Sequence, residues 1–226
     1  MFLIDPIITI GYNSLMKPTI IGLLGKPLSG KDTVAQTIEQ SFPGVAIISM
    51  GDMLREVRAA GPSHRFWNDL QESVTIAMNG GIAPDEPVFR CFTKLIQEKR
   101  SEGKSLFVWT GALRTEDQIT MLDSWCRTNG FDERFIHISV PDDELMKRRE
   151  ARLELKREDD RTDAFTFRLT EYERLSAPVI KRLREEGRLI DINGVGAVET
   201  VGKRVVDTLL MHGMDPETQL PRATRR

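Results

Sequence analysis

Five short apolar runs rich in β-branched residues constrain this chain more than any other feature. They are TIIGLLG from Thr19, VAIISM from Val45, SLFVWT from Ser105, RFIHISV from Arg134 and RLIDING from Arg188. Their apolarity is nearly continuous rather than alternating, as in strands buried on both faces, and amphipathic helical patterns separate them. An α/β architecture follows: a five-stranded parallel sheet with helices on both faces. The helical patterns cover Lys31–Ser41, Met53–Ala60, Val88–Ser101, Glu116–Asn129, Asp142–Lys156, Ala164–Glu186 and Val198–Met211, and no internal repeat is visible.

A chain of 226 residues suits one domain with small inserts. A formal charge of -2 supplies no global basic field, so nucleic acid is not expected as a partner and any anion recognition must come from local Arg and Lys clusters. Cys91 and Cys126 have no neighbouring Cys or His at metal-ligand spacing, which argues against a disulfide framework or a structural zinc and fits a reducing cytoplasm. The apolar start MFLIDPIITIGYNSLM is interrupted by Asp5 and Pro6 and has no basic residues before it, so it reads poorly as a signal or membrane span. Residues 1–18 are expected to be an extension, of which the first fifteen are either an added strand or an extended start. Residues 212–226, ending in the polar DPETQLPRATRR, are expected to form a flexible tail.

The stretch GKPLSGKDT, Gly25 to Thr33, places Gly25-x-x-x-x-Gly30-Lys31 between a buried strand and a helix, the context that gives a phosphate-binding loop its physical meaning. Glycines let backbone N–H groups turn toward phosphate oxygens, the helix N-terminus adds positive potential, and the lysine brings a mobile charge. The general pattern has Ser or Thr directly after the lysine. This chain has Asp32, with the hydroxyl of Thr33 one position later. On local sequence alone the stretch could also be a Gly-rich turn with no ligand.

Further along come ISMGDMLR (Ile48–Arg55), GGIAPDE (Gly80–Glu86), GALRTEDQ (Gly111–Gln118), REDD (Arg157–Asp160) and RLTEY (Arg168–Tyr172). In order and spacing they resemble the motifs of the adenylate kinase family of nucleoside monophosphate kinases, from about Thr19 to Leu210. The resemblance implies a P-loop three-layer fold over 19–211, with an acceptor-binding insert at about 50–84 and a short lid at about 148–168. It also implies ATP and Mg²⁺ as cofactors, small nucleotides as partners, no membrane, a monomer, and transfer of the terminal phosphoryl group of ATP to AMP. CMP, UMP or a deoxynucleotide remain competing acceptors, and a catalytically weakened nucleotide-binding regulator remains a competing class.

By motif position, the resemblance assigns Lys31, Arg114, Arg152, Arg157 and Arg168 to the transferring phosphates. Gly25, Ser29, Gly30, Lys31, Asp32, Thr33, Arg148 and Arg152 fall to ATP, with Arg148 near its adenine. Met50, Asp52, Arg55, Ala83, Arg114 and Gln118 fall to the acceptor, with Gln118 reading the base edge, and Thr33 and Asp52 serve the metal. Arginine suits such work because it stays charged and grips phosphate oxygens in a planar fork. Read on their own, the run MKRREARLELKRE is a solvated helix face, Asp52 a helix cap and Gln118 an exposed helical residue. Only four residues separate Arg152 from Arg157, so the lid is the short type, without the zinc-binding segment of longer lids.

The chain departs from the family where Leu28 and Asp32 enter the phosphate loop. Thr110 stands where an Asp is usual, and Ala112 and Leu113 replace an aromatic residue and a proline before Arg114. These changes predict a looser acceptor loop and one missing carboxylate. A carboxylate at about 4 Å from phosphate, in an effective dielectric of about 20, would cost on the order of 4 kcal/mol. Asp32 is therefore expected to point outward at the start of its helix.

Overall fold

The computed structural model describes residues 17–79, 81–153 and 162–214, with side chains omitted at 152–153 and 162–164. Its centre is β1 (Thr19–Leu24), whose side chains alternate between two apolar layers. Ile20 and Leu24 face one, and Ile21 and Leu23 the other, all nearly inaccessible to water. A strand buried in this way needs neighbours on both edges to satisfy its backbone. β3 (Leu106–Thr110) and β4 (Asp132–Ser139) supply them in parallel register, with β2 (Val45–Ser49) and β5 (Leu189–Asn193) outside, giving the order β2-β3-β1-β4-β5.

Helix α1 (Lys31–Ser41) follows β1, and α2 (Met50–Ala60), α3 (Trp67–Met78) and α4 (Asp85–Ser101) lie between β2 and β3. Helix α5 (Glu116–Asn129) precedes β4; α6 (Asp142–Leu153), α7 (Thr162–Glu171) and α8 (Ala177–Glu185) precede β5; α9 (Val198–Met211) is last. The chain leaves β1 toward one edge of the sheet and returns past it toward the other. The crevice such a reversal opens lies at the carboxyl ends of the central strands, where open α/β sheets bind ligands.

The five strands and helices α1, α5 and α9 fall where the sequence pattern puts them. Helix α3 went unpredicted because its apolar stripe is short: only Leu70, Ser73 and Val74 are buried. The continuous helix expected over Ala164–Glu186 is interrupted by a π-helical turn at Tyr172–Ser176. Pro178, two residues beyond it, is the overlooked signal, since a proline ring collides with the carbonyl four residues back and a widened turn relieves that collision.

Residues 212–214, expected as part of a flexible tail, are packed against the last helix. Gly213 has φ 80°, its N–H donates to Leu210 O, the N–H of Met214 donates to Leu209 O, and the Met214 side chain is buried. This closing motif ties residues 212–214 to α9. Residues 215–226 and 1–16 lie outside the described residues; Lys17 and Pro18 run into β1, and Pro18 O accepts from the Asp132 N–H.

Gly22, in the middle of β1, is required by a close approach. A Cβ there would stand 2.3 Å from Leu113 Cδ1 and 3.1 Å from Phe135 Cδ1, and both of those side chains are almost fully buried. Gly22→Ala is expected to destabilise the fold by about 1–3 kcal/mol, read as a lowered urea midpoint. Adding Leu113→Val should return part of the loss.

Candidate active site

The phosphate loop hangs from the carboxyl end of β1. Gly25 has φ 147°, and a Cβ there would meet Ser29 Oγ at 2.7 Å and Ile138 O at 2.8 Å. Gly30, at φ 93°, precedes α1, whose N-terminus has no side-chain cap. Uncapped N–H groups and the helix dipole then face the loop interior. Leu28 adopts φ 65°, a conformation that costs a branched residue about 1 kcal/mol or more. Arg148 holds this loop tip: Nη1 donates to Leu28 O and Ser29 O, both at 3.3 Å, and Nη2 to Gly194 O at 2.7 Å. Lys26 ties the other side to α6 and the π turn through Asp142 (2.7 Å) and Glu173 (2.8 Å).

Lys31 Nζ donates to Gly25 O and Lys26 O, both at 2.8 Å, and to Ser29 Oγ at 3.3 Å. Burial, then the nearby Arg114 and Arg168, brings its pKa down to about 7 against the opposing pull of Asp32. Burial and Arg168 likewise bring Arg114 down to about 10. A buried cluster of cations whose neighbours lower the proton affinity of Lys31 and Arg114 is electrostatically incomplete, and an anion completes it.

Two cavities open on this cluster. One, of about 760 Å³, is bounded by the phosphate loop from Pro27 to Thr33 and by Asp52, Thr110, Arg148 and Gly194. The other, of about 430 Å³, is bounded by Met50, Leu54, Val74, Ala83, Val88 and Gln118. Arg55, Arg114 and Arg168 line both.

The family model for adenylate kinase matches residues 23–188. The chain belongs to the adenylate kinase family. It is 30% identical to an adenylate kinase of Nitrobacter winogradskyi over 200 residues, covering 85% of this chain and 93% of that protein. It is 32% identical to those of Hyphomonas neptunium (81% and 94% covered) and Methylobacterium nodulans (86% and 96% covered).

Most residues singled out in the sequence come together here. Ser29, Gly30, Lys31, Asp32, Thr33, Asp52 and Arg148 line the larger cavity; Met50, Ala83 and Gln118 line the smaller. Gly25 shapes the loop without lining either. Arg157 and the side chain of Arg152 lie outside the described residues, as do Asp159 and Asp160.

Four readings of the sequence are corrected, and those for Asp52 and Gln118 are the alternatives to their assigned roles. Asp52 does not cap α2: Ser49 does, accepting from the Asp52 N–H at 3.2 Å, while the Asp52 carboxylate pairs with Arg55. Burial works to raise the Asp52 pKa, but hydrogen bonding with Ser49 and Arg55 prevails and holds it below the usual range. The acceptor loop is pinned rather than loose. Leu113 is buried at φ 59°, a backbone angle closed to proline, and the Arg114 N–H donates to Gln118 Oε1 at 2.6 Å. Gln118, instead of being exposed, is 2% accessible and donates from Nε2 to Asp85 Oδ1 at 2.8 Å.

The fourth correction concerns Asp32. Its carboxylate turns across the cleft, and Oδ1 accepts from Thr110 Oγ1 at 2.7 Å. Tyr172 and Ser176 also line the larger cavity, presented by the π turn, and the helical periodicity gave no sign of them.

The lowered pKa of Lys31 gives two signed expectations. Between about pH 7 and the ordinary lysine value the unfolded chain holds more protons, so the contribution of Lys31 to stability rises with pH across that window. ATP should return the missing proton. Calorimetry at pH 8 in buffers of different ionisation heat should show uptake approaching one proton per ATP bound, and almost none for Lys31→Met.

Proposed function

We propose that this chain transfers the terminal phosphoryl group of Mg-ATP to AMP, ATP + AMP = 2 ADP, as a monomer in the cytoplasm. The observation that carries the reading is the meeting of two cavities at Arg55, Arg114 and Arg168, with Lys31 beside them. Two anionic substrates bound on either side would bring donor and acceptor phosphates together at one cationic wall.

In this reading the phosphate loop and Lys31 hold the ATP phosphates, and Arg148 braces the loop beside the adenine. Arg55 and Arg114 grip the acceptor phosphate, and Arg114 and Arg168, with Arg152 and Arg157 from the short lid, neutralise charge on the group in transit. The acceptor phosphate has a second pKa of about 6 and is largely ionised at neutral pH, so no proton-abstracting base is needed. Catalysis rests on alignment and electrostatic stabilisation of a loose transition state. Met50 and Ala83 shape the wall of the acceptor-base pocket, and Gln118 keeps one amide hydrogen for the base edge.

Among the described residues no three His, Cys, Asp or Glu side chains cluster as a metal site. Thr33 and Asp52 nonetheless offer hard oxygen donors in the larger cavity, which fits a Mg²⁺ ion held mainly by phosphates and water. When bound there, the ion would neutralise charge on the nucleotide phosphates. No described helix is long and apolar enough to cross a membrane.

Supplied with Mg-ATP and each of AMP, CMP, UMP, GMP and dTMP in a coupled assay, the purified protein should convert AMP fastest. Conversion of none overturns the reading. Arg114→Lys, which keeps charge but loses the planar fork, and Lys31→Met should each lower kcat/KM by about 10²- to 10³-fold, with an unchanged circular dichroism spectrum.

A further inference from the structure

Asp32 poses a problem that the phosphotransfer reading leaves open: a carboxylate lines the cavity meant for a polyanion. It is the second residue of α1, directly between Lys31 and Thr33, and all three line the larger cavity. Thr110, the last residue of β3, is 1% accessible and donates its hydroxyl proton to Asp32 Oδ1 at 2.7 Å. The hydrogen bond crosses 78 positions of chain, from the first turn of α1 to the end of the neighbouring strand. It therefore fixes the carboxylate over the mouth of the sheet, where the helix alone would leave it free to rotate outward. Oδ2 accepts no hydrogen bond among the described residues.

At this location a bare carboxylate would repel ATP, so its retention calls for a cation between the two. Lys31 supplies part of that charge, and Asp32 works to raise its pKa. The Lys31 ammonium, however, already has three acceptors in its own loop. Arg55, Arg114 and Arg168 stand on the wall shared with the second cavity, and beside them the cation that ATP itself carries is a further candidate. A carboxylate with one oxygen anchored and one available is suited to accept hydrogen bonds from the water shell of Mg²⁺, an ion that gives up its hydration reluctantly. Thr110 contributes only the anchoring hydroxyl. The carboxylate that position 110 lacks is thus brought there from the phosphate loop.

We propose that Asp32, oriented by Thr110, is a positioning residue that grips the hydrated Mg²⁺ of Mg-ATP. This rests on the ATP-binding part of the phosphotransfer reading. Asp52 lines the same cavity but is already paired with Arg55, so the two carboxylates are not equivalent: one balances an arginine, and the other is held by a neutral hydroxyl.

The test is the factor by which Mg²⁺ tightens ATP, measured by calorimetry without any acceptor and so without turnover. Affinity for ATP alone and for Mg-ATP is determined for the wild type, Asp32→Asn and Thr110→Val. In Asp32→Asn the factor should fall about 10- to 100-fold, as when a group supporting a metal site is removed, while metal-free ATP binds as well as before or more tightly. In Thr110→Val, which keeps the carboxylate but loses its anchor, it should fall about three- to tenfold. If Asp32→Asn tightens both forms of ATP equally, or leaves the factor within twofold of wild type, Asp32 merely repels or caps and the proposal is wrong. A factor unchanged in Thr110→Val removes Thr110 from it. Failure of the phosphotransfer reading is separate: the wild type would then convert no monophosphate in the coupled assay, whatever the factor.

Discussion

Everything chemical in this protein hangs from the carboxyl end of one strand buried on both faces. With β3 and β4 on its two edges, β1 cannot shift without breaking two ladders of hydrogen bonds, and its side chains are shared between the two apolar layers. The phosphate loop therefore starts from a fixed point. The loops after β2, β3 and β5 end around it, so Ser49, Thr110 and Gly194 become neighbours of Lys31 and Asp32 around one cavity. Gly111 completes the convergence: a Cβ there would come within 3.1 Å of Gly51 N, so only glycine lets the acceptor loop approach the start of α2 this closely.

That convergence has an electrostatic cost. Burial, and after it the closeness of Arg114 and Arg168, weakens the hold of Lys31 on its proton, and burial and Arg168 do the same to Arg114; packing alone would not favour such a cluster. Loop carbonyls around Lys31 and the carboxylate of Asp32 offset part of the repulsion, and bound nucleotides would offset the rest. A site of this kind is preorganised for anions because its cations cannot relax away from one another. The braces on the loop serve the same end: Arg148, with Nη1 and Nη2 spent on backbone carbonyls, and Lys26, between Asp142 and Glu173, hold the loop in shape.

Position 113 shows how one local change is absorbed. Replacing a proline by leucine reads, in sequence, as a loss of rigidity before Arg114. In the fold Leu113 takes a left-handed backbone angle and buries its side chain against Gly22 of β1. Gln118 then fixes the next N–H through its Oε1. Burial and one hydrogen bond replace the rigidity of a ring, and they connect the acceptor loop directly to the central strand.

The sequence by itself determined the sheet, the phosphate loop, the family and most of the residues around the cleft, because these depend on local quantities. Continuous apolarity marks doubly buried strands, glycine spacing marks a loop around an anion, and ordered arginine motifs mark the enzyme. What only the tertiary structure decided were relations between distant positions. Asp32 and Thr110 looked like two independent losses until β3 and α1 placed them 2.7 Å apart. Gln118, which read on its own could equally be an exposed helical residue, is buried with Asp85 of α4 against it. The π turn that presents Tyr172 and Ser176 follows from Pro178 inside a helix, a conflict that periodicity averages away. Side-chain direction across a cleft is set by the packing of separate elements, and no local pattern of residues encodes it.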